Sequence, residues 1–541
     1  MSNFIIKKAT VIDGTGNNSY VSDVEVGNGI ITRIGKNLYE DYVKKSLLSN
    51  FLNEKKIEIY EADGLILCPG FIDIHSHSDM TIFEKNYTES RVLQGVTTDI
   101  GGNCGLSVAP ANIKYWDKFR EDMFFPTDDM SMEWQSVGEF LQYASRNGIS
   151  VNFGTFVGHG TLRIAVAGYE NRKLNENEIG EMKALTEEAM RDGAFGLTSG
   201  LVYSPGCFAD DNEIIEIAKI AGKHGGIYCS HMRDEWDDVL KSIREVINIG
   251  KKADLPVHIS HHKIVLSKHW GTLCKATVEL IKRTKQSGID ITFDQYPYTS
   301  GGTTLSRLFP RWALGGGIDK LIERLEDSET LVEIKKEIYA QIDSGDLTWD
   351  TFTLGEVNET EYCGKTLREL GELMGKDPLE ATIDFFIKEG NVSVFVDTCG
   401  EEDVRYIMEN SECMFGSDGS AYSLEDKGTI HPRSFGTFPR IISKYCRELK
   451  IIELEDAIRR MTSMTANRLG LFDRGLIRPG MKADLVIFNF NEIEDTPNNT
   501  KPAQACKGIK KVFVNGVLTV DNGHHTGALA GQILKRGQTN N

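Results

Sequence analysis

Residues 70–79 read GFIDIHSHSD, an apolar run that ends in a His-x-His pair, His75 and His77. A strand turns successive side chains to opposite faces, so the two imidazoles point the same way at the strand's end. Neutral imidazole suits zinc and similar borderline ions, and two on one face begin a metal grip. Three later segments also end an expected strand in a possible ligand: VTTDIGGNC in Cys104, GGIYCSH in His231, and PVHISHHK in His258, His261 and His262. One pair alone carries little weight. Its agreement with three further strand ends predicts a metal site.

Eight β-type runs can be read along the middle of the chain: LILCPGFIDIH, GVTTDIGG, VNFGTFVGH, AFGLTSGLV, GIYCSHM, PVHISHH, ITFDQYPY and CMFGSDG. Amphipathic patterns lie between several of them, such as ENEIGEMKALTEEAMRDG and EWDDVLKSIREVINIGKKAD, with apolar residues recurring at three and four. Such alternation predicts an α/β fold, a TIM-type (β/α)8 barrel, whose functional groups gather at the C-terminal strand ends. Every candidate ligand above falls at such an end.

The 541 residues exceed what a barrel of about 250 needs, leaving room for appendages. Residues 1–66 and 475–541 share a texture of short strands and turns, as in FIIKKATVIDG, ADLVIFNF and IKKVFVNGVLTVDNG, with Asn515 and Gly516 as a hairpin turn. They are expected to build one small β-domain jointly, flanking a catalytic barrel over 67–474. A polar stretch from Tyr39 to Lys56 reads as helix or loop. Between the seventh and eighth strands, about residues 300–391, more chain is inserted than one helix requires, which reads as a lid or subdomain. Its opening, SGGTT, lacks the GxxxxGK[ST] context of a phosphate loop.

A formal charge of −18 argues against nucleic acid or an anionic membrane as partner, since both favour basic patches. No run of about 20 apolar residues occurs and the first residues carry no signal-peptide pattern, so a soluble, cytoplasmic protein is expected. The 10 cysteines are scattered without CxxC pairs, several inside apolar runs, as reduced buried thiols are.

The motifs resemble the amidohydrolase superfamily and, within it, the N-acyl-D-amino-acid deacylase (D-aminoacylase) family. The likeness runs in order through GFIDIHSHSD, QGVTTDIGGNCG, VGHGTLR, GLTSGLVYSPG, SHMRDE, ISHHK, DQYPY, GSDG, HPRSFGTFPR and IRPGMKADLVIFN, over most of the chain. HxH and GSD are superfamily-wide, whereas GNCG, SGLVYSPG, ISHHK and HPRSFGTFPR are narrower. The resemblance implies hydrolysis of N-acyl-D-amino acids, small-molecule substrates, to a carboxylate and a free D-amino acid.

It also implies Cys104, His231 and His261 as ligands of a tightly held Zn2+, with His75 and His77 at an adjacent, weaker metal position. Asp418, in MFGSDG, is implied as the general base that becomes the general acid. Lys263, Tyr296, Arg433 and Tyr203 are the candidates for holding the substrate, because in an acidic protein a carboxylate must be met by local cations and donors. Arg307 and Arg311 are weaker candidates, and His159 could line the pocket or brace the scaffold. Alternation in VHISHHK puts Ile259, His261 and Lys263 on one face and His258, Ser260 and His262 on the other. The resemblance turns the first set inward, and a bulge would reverse it.

Two alternatives differ in what they require. A cyclic-amide hydrolase of dihydropyrimidinase or dihydroorotase type would bridge two metals with a lysine on the fourth strand, and GAFGLTSGL has none. A non-catalytic relative used for assembly would be expected to lose ligands, and all of them are present.

Overall fold

In a computed structural model of the chain, the residues described are 3–49, 57–122, 131–345, 347–355, 357–427, 430–498 and 501–537. Eight strands form the expected barrel: β1 (Phe71–Asp73), β2 (Val96–Gly101), β3 (Asn152–Thr155, resumed as Val157–Gly158), β4 (Gly196–Gly200), β5 (Ile227–His231), β6 (Val257–Ile259), β7 (Ile291–Gln295) and β8 (Cys413–Phe415). Neighbours pair in parallel, apart from a break at Phe156 that divides β3. Just beyond the strand ends the circle closes: the Asp418 amide donates to the His75 carbonyl and the His77 amide to the Gly419 carbonyl, both at 2.8 Å. Those two bonds bring the His-x-His pair against the aspartate from the far end of the barrel.

Helices separate the strands as the sequence pattern requires. ENEIGEMKALTEEAMRDG forms Glu176–Asp192, started by an Asn175–Glu178 capping box and ended by Gly193 in the left-handed conformation. Val239–Ala253 buries Val239, Ile243, Val246 and Ile249 at helical spacing, so its apolar stripe faces the barrel wall.

One expected strand is two. LILCPGFIDIH breaks at Gly70, so Ile66–Pro69 joins a separate nine-stranded sheet while Phe71–Asp73 opens the barrel. The break has a steric cause: a Cβ on Gly70 would lie 2.1 Å from the Thr97 hydroxyl oxygen, so only glycine lets the chain pass between the layers.

The nine-stranded sheet takes strands from both chain ends. Leu485–Phe488 pairs antiparallel with Ile66–Pro69 and with Ile509–Val514, and the Asn515–Gly516 hairpin leads into Val517–Asp521. Its core holds Phe4, Val24, Leu67, Leu485 and Phe513. The polar stretch after Gly35 forms a helix over Leu38–Ser49, and residues 50–56 lie outside the described residues.

The insertion after β7 has its own hydrophobic core, including Leu321, Ile334, Leu354, Leu370 and Phe386. Three antiparallel strands, Ser300–Thr304, Phe352–Leu354 and Ser393–Asp397, are flanked by helices such as Ser328–Asp343 and Pro378–Glu389. SGGTT is therefore an edge strand. Among the described residues no helix is long and apolar enough to cross a membrane.

Candidate metal centre

Ligand-bearing side chains converge just past the C-terminal strand ends. One atom each from His75, Cys104, His261 and Asp418 lies within 4.8 Å of all the others, and all four residues are buried. His75 Nε2 is 3.3 Å from Cys104 Sγ and 3.4 Å from Asp418 Oδ1. Cys104 Sγ is 3.4 Å from His261 Nε2, which stands 2.9 Å from His231 Nδ1. His77 Nε2 approaches Asp418 Oδ1 at 3.1 Å. Burial alone would push the Cys104 thiol up, yet His75 and His261 hold it well below its ordinary value. So many lone-pair donors sealed away from water are costly unless a cation neutralises them, and sulfur with imidazole is a donor set suited to zinc.

Three of these residues, Cys104, His261 and Asp418, have positive φ, at 54°, 35° and 50°. Left-handed backbone is uncommon outside glycine, and its clustering at strand ends marks a site where geometry is held against local preference. It also corrects the alternation argument. Ile259 packs into the hydrophobic layer between strands and helices, whereas His258, its neighbour, faces the barrel interior and Asp294. Simple alternation would then send His261 outward. The left-handed kink at His261 reverses it toward Cys104, and His262 turns away to hydrogen-bond Thr277 at 2.9 Å.

Two buried carboxylates that motif reading passed over organise these imidazoles. Asp294, in β7, meets His75 Nδ1 at 3.2 Å and His258 Nε2 at 2.8 Å through one oxygen, and accepts from the His261 amide at 3.0 Å through the other. Burial would raise its pKa, but His75 and His258 depress it strongly. Glu235 lies 3.2 Å from His261 Nδ1 and 2.8 Å from Lys263 Nζ. An aspartate inside the strand-like run ITFDQYPY was the available signal for the first. For the second it was an acid four residues after His231 in one loop.

Of the proposed substrate-binding residues, Arg433 contacts Asp418 at 2.7 Å and stacks 5.1 Å above the Tyr296 ring. Burial would raise the Asp418 pKa, but Arg433 and His77 hold it well below the ordinary carboxylate range. The Tyr203 and His231 rings meet edge to face, with their centroids 5.0 Å apart. Lys263 is already engaged, by Glu235 and by His261 Nδ1 at 2.9 Å. His159 does not join the cluster: its Nε2 meets Glu213 at 2.9 Å, a carboxylate shared with Arg163, so it braces the scaffold. Behind the cluster, fully buried Arg91 ties Asp73 to Ser417 at 2.9 and 2.6 Å, anchoring the loop that carries Asp418.

Fold and site together define a barrel of the metal-dependent hydrolase class. The sequence profile of the amidohydrolase family matches residues 58–309 and 367–520, and the chain belongs to that family. It is 32% identical to a D-aminoacylase of Alcaligenes xylosoxydans xylosoxydans over 98% of this chain and 97% of that one. An N-acyl-D-aspartate deacylase of the same organism is 31% identical over 99% and 95%. The crystal structure of the N-acyl-D-glutamate deacylase from Bordetella bronchiseptica, complexed with zinc and a phosphonate inhibitor, superposes with a TM-score of 0.79 at 27% identity, covering 98% of this chain and 99% of that one.

Proposed function

We propose that this protein hydrolyses N-acyl-D-amino acids to a carboxylate and a free D-amino acid, with zinc as cofactor. The observation that carries the reading is the buried convergence of Cys104, His75, His261 and Asp418, set in a chain that aligns end to end with deacylases of such substrates. Cys104, His231 and His261 would hold one zinc tightly, and His75 and His77 would border a second, weaker position. When bound, zinc supplies Lewis acidity and activates water for attack on the acyl carbonyl.

The chain's own residues do the rest. Asp418, kept ionised by Arg433 and His77, accepts a proton from the attacking water and returns it to the leaving nitrogen. Arg433 and Tyr296 offer the substrate carboxylate a guanidinium fork beside a phenol, with Tyr203 on the His231 side. Lys263 enters this role through its pairing with Glu235, which a substrate carboxylate must share. Strand β4, Gly196–Gly200, carries no lysine to bridge two metals, which speaks against the cyclic-amide alternative. All 10 cysteines are unpaired, in keeping with a reducing compartment, and we place the protein in the cytoplasm.

The test is a parallel assay of N-acetyl-D-amino acids, N-acetyl-L-amino acids and dihydrouracil for release of product, with zinc measured on the same preparation. Free amine from the D-series, tracking zinc content, is expected. Turnover of dihydrouracil alone would overturn the reading.

A further inference from the structure

We infer that Thr198, on β4, is a positioning residue of the metal centre: its hydroxyl closes the loop 102–105 and so sets where the Cys104 sulfur stands. This rests on the metal centre of the deacylase reading and deepens it.

The loop holds a conformation that its own sequence does not favour. Leu106 N donates to the Asn103 carbonyl at 3.0 Å, which makes Cys104 and Gly105 the central pair of a tight turn. Both have positive φ, 54° and 72°, as the central pair of a type I′ turn does, and Gly102 just before them has φ 75°. Glycine adopts such backbone freely. A cysteine does not, and the place it occupies is one that Asn, Asp or Gly ordinarily fills. Contacts from outside the turn must hold Cys104 there.

Thr198 supplies them. Its Oγ1 donates to the Gly102 carbonyl at 2.6 Å and accepts from the Gly105 amide at 3.1 Å. Across a four-residue turn those two backbone groups would bond each other. Here one hydroxyl oxygen stands between them and bonds both, on either side of Asn103 and Cys104. Thr198, Gly102 and Gly105 are all buried, so bulk water does not compete for these bonds.

The rest of β4 is shaped around the same loop. Leu197 packs outward, whereas Thr198 is level with Cys229 in the cluster of the barrel interior. Thr198 and Gly200 are therefore the inward positions of β4 nearest the site. A Cβ on Gly200 would lie 1.9 Å from the Cys104 carbonyl oxygen, and one on Gly105 would lie 2.4 Å from Gly200 N, so the loop lies directly across the strand's end. On its other side Asn103 Nδ2 reaches the Ile74 and Ser76 carbonyls, both at 3.3 Å, which flank His75. Asn103 thus ties the loop to the His-x-His segment and Thr198 ties it to β4, with Cys104 between the two. Valine in place of Thr198 would leave the Gly102 carbonyl and the Gly105 amide to bond each other, and drawing them together displaces Cys104.

The experiment needs no substrate. Zinc affinity in competition with a chelator, the thiolate-to-metal absorption band of the cobalt-substituted protein, and the denaturant midpoint of the metal-free protein are measured for wild type, Thr198→Val and Thr198→Ser. Valine keeps the volume without the hydroxyl, and serine keeps the hydroxyl without the methyl. Thr198→Val should bind zinc roughly 10–100-fold more weakly and show a weakened or shifted band, with Thr198→Ser close to wild type in both. If the valine variant does not fold, Thr198→Ala against Thr198→Ser poses the same question, since the two differ by the hydroxyl alone. Wild-type affinity and band without the hydroxyl, or equal losses with and without it, would overturn the proposal and leave Thr198 a space-filling residue felt in the denaturant midpoint alone. Either result leaves the deacylase reading standing. A wild type that holds no zinc and releases no amine from any N-acetyl-D-amino acid would overturn both.

Discussion

Asp418 is buried and has left-handed backbone, both unfavourable, and it stands between two basic neighbours, His77 and Arg433, that offset the burial. Together they hold a carboxylate ionised in one place, and Asp418→Asn tests whether that charge moves a proton. The amide keeps the shape but cannot accept and return one, so kcat should fall on the order of a hundredfold or more while zinc content stays at the wild-type level. Near-normal kcat would place the acid–base role elsewhere. Asp294 makes a different prediction, because it touches imidazoles and no substrate candidate. By accepting from His75 Nδ1 and the His261 amide it leaves the Nε2 atoms facing the cluster and supports the kinked backbone. Asp294→Asn presents an amide donor where an acceptor is needed, so zinc affinity should weaken by roughly 10–100-fold in competition with a chelator. Unchanged affinity would reduce Asp294 to a packing residue.

At the scale of elements, much of the molecule was legible. Eight strands, their order and the placement of ligands at their C-terminal ends all follow from short β-type runs alternating with helical patterns, as strands buried on both faces and amphipathic helices require. Local backbone reversals were not legible. The kink at His261 depends on an Asp294 carboxylate about thirty residues downstream, so no reading confined to VHISHHK could decide which histidine turns inward. The break at Gly70 likewise depends on Thr97, on a different strand. Asp294 and Glu235 escaped notice for the same reason: each acts through a contact between elements, and their own segments read as a strand and a loop. The SGGTT edge strand is the converse case, since its glycines have a use only once Tyr296 and Arg433 are in place beside it.

Across the whole molecule, the two chain ends hold the barrel from one side while the insertion after β7 adds a separately cored body next to the site. The tail goes further than the sequence texture suggested. Beyond the nine-stranded sheet it runs along β3, with Phe153 N bonded to the Gln532 carbonyl at 2.9 Å and Leu534 N to the Phe153 carbonyl at 2.7 Å. Leu534, 2% exposed, packs in one cluster with Ile72, Ile100, Phe156, Phe195, Ile227 and Met414 from around the barrel interior. A residue near the end of a chain is ordinarily expendable, but this one fills space that β1, β2, β3, β5 and β8 share. Leu534→Ala should therefore destabilise by about 2–5 kcal/mol, the range for emptying a leucine-sized volume in a close-packed core. The denaturant midpoint should fall, with zinc content and kcat/KM at 25 °C preserved, because the cavity lies in the core and the ligand atoms lie beyond the strand ends. An unchanged midpoint would mean that the barrel closes without its tail. A loss of zinc at unchanged midpoint would instead tie the tail to the metal centre.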